Sequence, residues 1–312
     1  MRYYSELSEA NYKQEAVLMP MKQRKIEVHR LTISGLPDGT AYGAFLRNLR
    51  GRTRPVAEMV MKAGEKSHVL NEAVLRNHRL RLRFLSFTKG HRPDVLDTNE
   101  FALHPNPLAE SETNVEWTHV LGALKDDRYL LLVEKNVSGI WPTTLGRYLQ
   151  WAIDEYYEPA EDEEPNRDRE PVTINLESEP GPEFLERMEA LDRVTEATVR
   201  VVRPNPGWRD LETELGQKAG ESDAKRVDLT MTARRRASLS RQGGILGWIR
   251  DAFNRRELSF AAIKGRRGSQ TESFNTERLS KHAMLNMEMD ERGQIVADDA
   301  WMKLSEMMDN LD

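Results

Sequence analysis

Three arginine-rich stretches lie close together in the last third of the chain: TARRRASLSRQGG (Thr232–Gly244), NRRE (Asn254–Glu257) and KGRRGSQ (Lys264–Gln270). A guanidinium group offers a rigid fork of donors that matches phosphate oxygens in pairs, so arginines at this density suit a polyanion. A fourth basic feature is RLRLRFLSF (Arg79–Phe87). Its period of two puts Leu80, Leu82 and Phe84 on one strand face and Arg79, Arg81 and Arg83 on the other. Such a ladder either lies along phosphates or guards an exposed sheet edge with charge. The candidate phosphate contacts are therefore Arg79, Arg81, Arg83, Arg234, Arg235, Arg236, Arg241, Arg255, Arg256, Lys264, Arg266 and Arg267. Ser238, Ser240 and the amides near Gly243 and Gly244 could add donors at the start of the next helix. Arg255 and Arg256 also suit a helix end, where cations offset the dipole. Trp248 could stack on a base, but Ile245, Leu246, Ile249 and Phe253 place it in a core. Arg235–Ser238 reads RRAS, which also matches a basophilic kinase target.

Other chemistry finds less support. There is no GxxxxGK[ST] or GxGxxG phosphate loop, no GxSxG elbow and no HExxH pair. The absence of cysteine excludes thiolate metal sites, disulfides and cysteine nucleophiles. Asp94, Asp97, Glu116 and Glu134, with Lys135, form the one acidic set that suggests a magnesium-dependent nuclease. Glu134 and Lys135 are adjacent, so on a strand they point to opposite faces, which counts against that site. The bland alternative makes Glu134 a strand-end residue and Asp94 and Asp97 turn residues. No catalytic residue, metal or cofactor is expected.

The elements that carry these residues follow from the hydrophobic pattern. The chain has 312 residues, 38% hydrophobic and 31% charged, with a net charge of -5 and a mean hydropathy of -0.68. That composition suits soluble globular domains. No apolar run is long enough to cross a membrane, and the N-terminus lacks an apolar signal region. Charge is unevenly spread: +7 over residues 1–100, -13 over 101–220 and +8 within 229–267. KIEVHRLTIS reads as a strand, with Thr40 a cap for the helix AYGAFLRNLR. The three prolines between Arg92 and Thr113 read as a long loop. WTHVLGAL and YLLLVEK flank KDDR as a hairpin, and Pro142–Tyr157 is a helix capped by Thr143 or Thr144. Residues 158–171 are charged and proline-bearing, and read as a linker. Beyond it VTINLES, PEFLERMEAL, ATVRVVR, WRDLETELGQKA, RVDLTMTA, GILGWIRDAFNRR and LSFAAIKG alternate strand and helix. The expected fold class is α+β in two domains. A mixed α/β sheet domain spans 1–157, and a β-α-β-α-β-α-β domain with a terminal amphipathic helix spans 172–312.

The hairpin YLLLVEKNVSGIW, the run PTTLGRYLQWAI with its PTT-x-L-x-x-Y-L core, the acidic gap, ATVRVVRPNPGW and VDLTMTARRR follow one another in a familiar order. In this the chain resembles the RexA-like phage-exclusion (abortive infection) proteins and related bacterial proteins of about this length. The resemblance implies a cytoplasmic, dimeric, two-domain protein of antiviral defence. It would bind duplex DNA with weak sequence preference, without enzymatic activity, and with an effector protein as a possible partner. No binding motif of that family maps onto single residues here, and the acidic middle departs from a uniformly basic face. Two alternatives are the magnesium-dependent nuclease and a non-DNA interaction module built on the methionine-rich C-terminal helix.

Overall fold

The computed structural model describes residues 20–37, 39–51, 54–91, 93–109, 111–157, 171–202 and 226–311. They form a mixed α+β structure with antiparallel sheets and five described α-helices. The larger sheet is organised by β1 (Met21–Ser34), long enough to serve three neighbours. One of its edges pairs with β8 (Arg128–Lys135). The other edge is shared: Met21–Glu27 pairs with β14 (His282–Glu288), and His29–Ser34 with β9 (Thr173–Ser178). From β8 the sheet continues through β7 (Glu116–Lys125), β4 (Arg79–Phe87), β3 (Lys66–Arg76) and β2 (Val60–Ala63).

The tight hairpins have the local chemistry they need. Asp126 and Asp127 join β7 to β8 at φ 49° and 57°, and Asn77 and His78 join β3 to β4 at φ 50° and 59°. Two successive left-handed residues match the twist of a two-residue hairpin, and Asp and Asn tolerate that region better than most. The stretch read as a loop after Thr88 contains a small hairpin, β5 (Val95–Asp97) with β6 (Ala102–His104).

Both faces of the large sheet are covered. On one, Leu31, Leu80, Leu82, Phe84, Val120 and Leu131 pack under α1 (Tyr42–Arg50) and α2 (Pro142–Tyr156). Tyr148 of α2 is fully buried there; its hydroxyl donates to Met59 O at 2.6 Å and accepts from Leu70 N at 2.9 Å. On the other face, Ile26, Val28, Leu121, Leu130 and Leu132 pack under α5 (Ala297–Asp309) through Trp301, Leu304 and Met308. Burying such a side chain contributes about 1.5–3 kcal/mol relative to exposure, enough to hold a thirteen-residue helix in place. Neither early helix uses the threonine cap that its sequence offers. Ala41 and Trp141 occupy the cap positions without side-chain bonds, and Thr40 Oγ1 donates to Pro37 O instead.

The second sheet runs β11 (Arg226–Thr232), β10 (Arg193–Val202), β12 (Phe260–Arg267) and β13 (Gln270–Asn275), all antiparallel. α3 (Glu183–Ala190) and α4 (Gly244–Asn254) cover one face with Phe184, Met188, Ile245, Leu246 and Ile249 against Val194, Ala197 and Ile263. The opposite face exposes Thr230, Lys264, Arg266, Thr271 and Ser273.

Three expectations are corrected. Reading the elements in order puts Thr173–Ser178 and the C-terminal helix in the unit 172–312. The structure pairs the first with β1 and packs the second on the large sheet. The strands of the small sheet are antiparallel, whereas the expected strand–helix alternation points to a parallel sheet. The reason is common to all three: order along the chain fixes which elements form, whereas long-range matching of apolar faces fixes which ones meet. The linker expected at 158–171, apart from Pro171, and the helix expected over WRDLETELGQKA lie outside the described residues. Chain entry and exit at the small sheet are clamped together. Glu179 N donates to Val28 O, Val28 N to Lys281 O, and Lys281 N to Glu179 O, at 2.9, 2.9 and 2.7 Å. No helix among the described residues is long and apolar enough to cross a membrane.

Candidate nucleic-acid interface

One end of the small sheet gathers cations from separate segments. Thr232, Glu196 and Lys264 form a row across β11, β10 and β12, and Arg193 and Arg266 form the next row on β10 and β12. Beyond Thr232 the chain stays on the start of β10, through Ala233 N to Thr195 O at 2.8 Å and Leu239 N to Val194 O at 2.9 Å. Between those two bonds it bulges out as Arg234, Arg235 and Arg236, all exposed, with Arg236 at φ 63°. Two strand spacings away, about 10 Å, Lys264, Arg266 and Arg267 are exposed where β12 turns into β13. None of these six side chains has a hydrogen-bond or ion-pair partner among the described residues. Arg241 lies at the same end but is occupied, donating to Glu189 O at 3.2 Å and to Leu191 O.

A few specific hydrogen bonds set the arrangement. Val194 N donates to Ser238 Oγ at 3.1 Å, which ties the arginine turn to β10, and the Ser238 hydroxyl can donate to Leu239 O at 3.1 Å within the turn or to Val194 O at 3.4 Å. Thr195 Oγ1 donates to Lys264 O at 3.1 Å on the other side. Gly265 permits the close passage of β12 over β10. A Cβ there would lie 2.5 Å from Arg193 O and 2.6 Å from Leu191 Cδ1. α4 begins just past the turn, with Gly243 at the cap and no acidic residue in its first turn, so its free amides add positive potential nearby.

The remaining candidates are elsewhere. Arg255 and Arg256 close α4 at its far end and are satisfied there. Arg255 pairs with Glu257 and Arg256 with Asp126, each at 2.8 Å. Both line an open cleft of about 1140 Å³ between the two sheets, where Arg30, Arg128, Asp126 and Glu257 mix the signs. Arg79, Arg81 and Arg83 do share one face of β4, but the face is roofed by α5. Arg79 pairs with Asp309, the Arg81 guanidinium lies 5.6 Å from the Trp301 ring, and Arg83 stacks 3.8 Å from Trp117. Burial pushes the Arg83 guanidinium below its ordinary pKa. β4 lies between β3 and β7, so the edge-guarding reading fails together with the phosphate ladder. Trp248 packs against the core of the small sheet, as its spacing implies.

The acidic set does not assemble. Asp97 Oδ1 accepts from Asn99 N and Glu100 N within the small hairpin, a turn role. Glu134 is fully buried, 3.0 Å from Arg24 Nε and 2.8 Å from His119 Nδ1, and Arg24 also reaches Glu116 at 3.2 Å. Two of the four carboxylates are thus consumed by one arginine. No metal-holding group of His, Asp and Glu occurs among the described residues. Ser178, His29 and Glu27 follow one another on one sheet face in the order of an acyl-transfer triad, but at 3.5 and 3.8 Å. Glu27 is already held by Lys25 and Lys135 at 3.0 and 2.9 Å, so the carboxylate is not free to orient the imidazole.

Comparison with protein-family models and with curated proteins found no match to the chain. The site is therefore read from its own chemistry. Sequence reasoning missed Arg193 and the anchoring role of Ser238. Arg193 lacks any local cluster, and only the β10–β12 ladder brings it beside Arg266.

Proposed function

We propose that the chain binds nucleic acid, specifically duplex DNA, through phosphate contacts without strong sequence preference. Arg234, Arg235, Arg236, Lys264, Arg266 and Arg267 form the grip, with Arg193 beside them. One observation carries the reading: six cations from two separate segments meet at one end of a sheet with no acidic partner among the described residues. Glu196 lies in the row between the two segments without an ion pair to them, and the excess of cations around it costs self-repulsion that a polyanion would relieve. The gap of about 10 Å between the arginine turn and the β12 tip approaches the width of a major groove, about 12 Å, so the two sets can hold phosphates of both strands. Arg79, Arg81, Arg83, Arg241, Arg255 and Arg256 are not part of this grip. The resemblance to phage-exclusion proteins adds a setting in antiviral defence, in which a homodimer would double the contacts.

The test is a gel-shift titration at about 50 and about 200 mM salt. Wild type should show a log–log salt slope of about -0.9 per phosphate contacted. Changing Arg234, Arg235 and Arg236 together to alanine should flatten it by about 2–3. Binding unchanged in the triple variant removes the turn from the interface; absence of binding by wild type at low salt removes the function.

A further inference from the structure

We propose that Ser238 is a phosphorylation site whose modification loosens the DNA grip, an inference that rests on the phosphate-binding reading above. Arg235 and Arg236 stand three and two residues ahead of Ser238, the spacing that a basophilic serine/threonine kinase reads. All three residues are exposed, in a turn held by few bonds: Ala237 N to Arg234 O, Leu239 N to Val194 O, and those of Ser238 itself. The segment can therefore be drawn out into an extended kinase-bound form without disturbing the apolar core under α4.

The hydroxyl that would be modified is also the strap of the turn. It accepts from Val194 N and donates to Leu239 O. In the reaction, Ser238 Oγ takes the γ-phosphoryl group of a nucleoside triphosphate and loses its proton to the kinase base, and the nucleoside diphosphate leaves. Oγ becomes an ester oxygen with no proton to donate and little capacity to accept, so both strap bonds weaken. The phosphate adds a charge of about -1.5 to -2 next to Arg235 and Arg236 and satisfies internally the guanidinium groups that would otherwise meet DNA. Losing about two phosphate contacts at about 0.1 M salt corresponds to a fall in affinity of roughly 10- to 100-fold and a salt slope flatter by about 2. Ser240 lacks arginine at both of the key positions, which directs the modification to one serine.

The experiment incubates the full, folded chain with the purified catalytic subunit of a basophilic kinase and a nucleoside triphosphate. It then reads intact mass, site mapping, amide exchange and DNA affinity. The expected result is one phosphate per chain, lost in Ser238→Ala and kept in Ser240→Ala. The Val194 amide should exchange faster, and DNA binding should weaken by the factor given. The proposal is overturned if the folded chain resists modification, if another residue takes the phosphate, or if the singly modified chain binds DNA as tightly as the unmodified one. Should the unmodified chain itself not bind DNA, the phosphate-binding reading falls and takes the switch with it. Site mapping and Val194 exchange would then still show whether Ser238 is modified and releases the turn.

Discussion

Arg266 lies directly opposite Arg193 in the β10–β12 ladder. Like charges facing each other across an antiparallel pair destabilise it by a few tenths to about 1 kcal/mol, and Arg193 Nε is buried with no hydrogen-bond partner among the described residues. On the proposed phosphate-binding reading, the pair keeps a place for an anion at the cost of local stability. Arg266→Thr should therefore raise the unfolding temperature in low salt while weakening DNA binding. A polyanion such as heparin should stabilise wild type more than the variant. Calorimetry with and without heparin checks both; a variant less stable than wild type would contradict the argument.

The arginines of β4 should behave in the opposite way. Replacing Arg79, Arg81 and Arg83 by alanine removes the Asp309 pair and the contacts with Trp301 and Trp117. We expect a loss of about 1–3 kcal/mol in urea unfolding from cation–π and packing terms, with the salt slope of DNA binding unchanged.

Gly265 and Gly268, three residues apart, separate two roles of glycine. Gly265→Ala forces a Cβ against Arg193 O and should cost more than 2 kcal/mol by parting the strands. Gly268 sits at φ 59° with open space around it, so Gly268→Ala should cost only about 1 kcal/mol of backbone strain. Unfolding midpoints of the two variants give the comparison, and DNA binding should fall for the first alone.

His68 makes stability depend on pH. It is buried, its Nδ1 2.8 Å from Ser86 Oγ, and burial, with a smaller contribution from Lys66, pushes its pKa down to about 4. The unfolded chain binds a proton near pH 6.5 that the folded chain refuses until about pH 4. Stability therefore falls as pH drops through that window, by at most about 3 kcal/mol, and is unaffected above it. Glu27 acts lower: the imidazole of His29 beside it, then Lys135 and Lys25, hold its carboxyl below the ordinary range against the opposing effect of burial. Its contribution is lost only as pH falls below about 4.5. Urea unfolding of wild type and His68→Gln at about pH 7 and about pH 5 should show the variant losing less on acidification.

Much of the local structure was legible in the residues, and much of the site was not. The period of RLRLRFLSF gives the buried Leu80, Leu82 and Phe84, and KDDR gives its turn, because both depend on neighbours along the chain. What covers the arginine face of that strand is Trp301 and its helix, more than two hundred residues later, and no local pattern records it. Arg234 and Lys264 are visible as cations, but their meeting depends on a row through Glu196 that only strand pairing creates. Arg255 and Lys264 look alike in sequence and end on different parts of the molecule, because α4 carries one of them away.

The clamp of Val28, Glu179 and Lys281 has a consequence for how this molecule can be taken apart. The described residues 180–202 and 226–280 leave and rejoin the large sheet's strands at one place, where Pro180 bridges Ser280 and the flanking backbones are already bonded to one another. In engineering terms they are a cassette: a short turn joining Glu179 to Lys281 would close the gap without stretching either strand. The large sheet freed of its cassette should remain folded and lose its attraction for DNA, and the cassette could be grafted onto another hairpin as a portable anion-binding head.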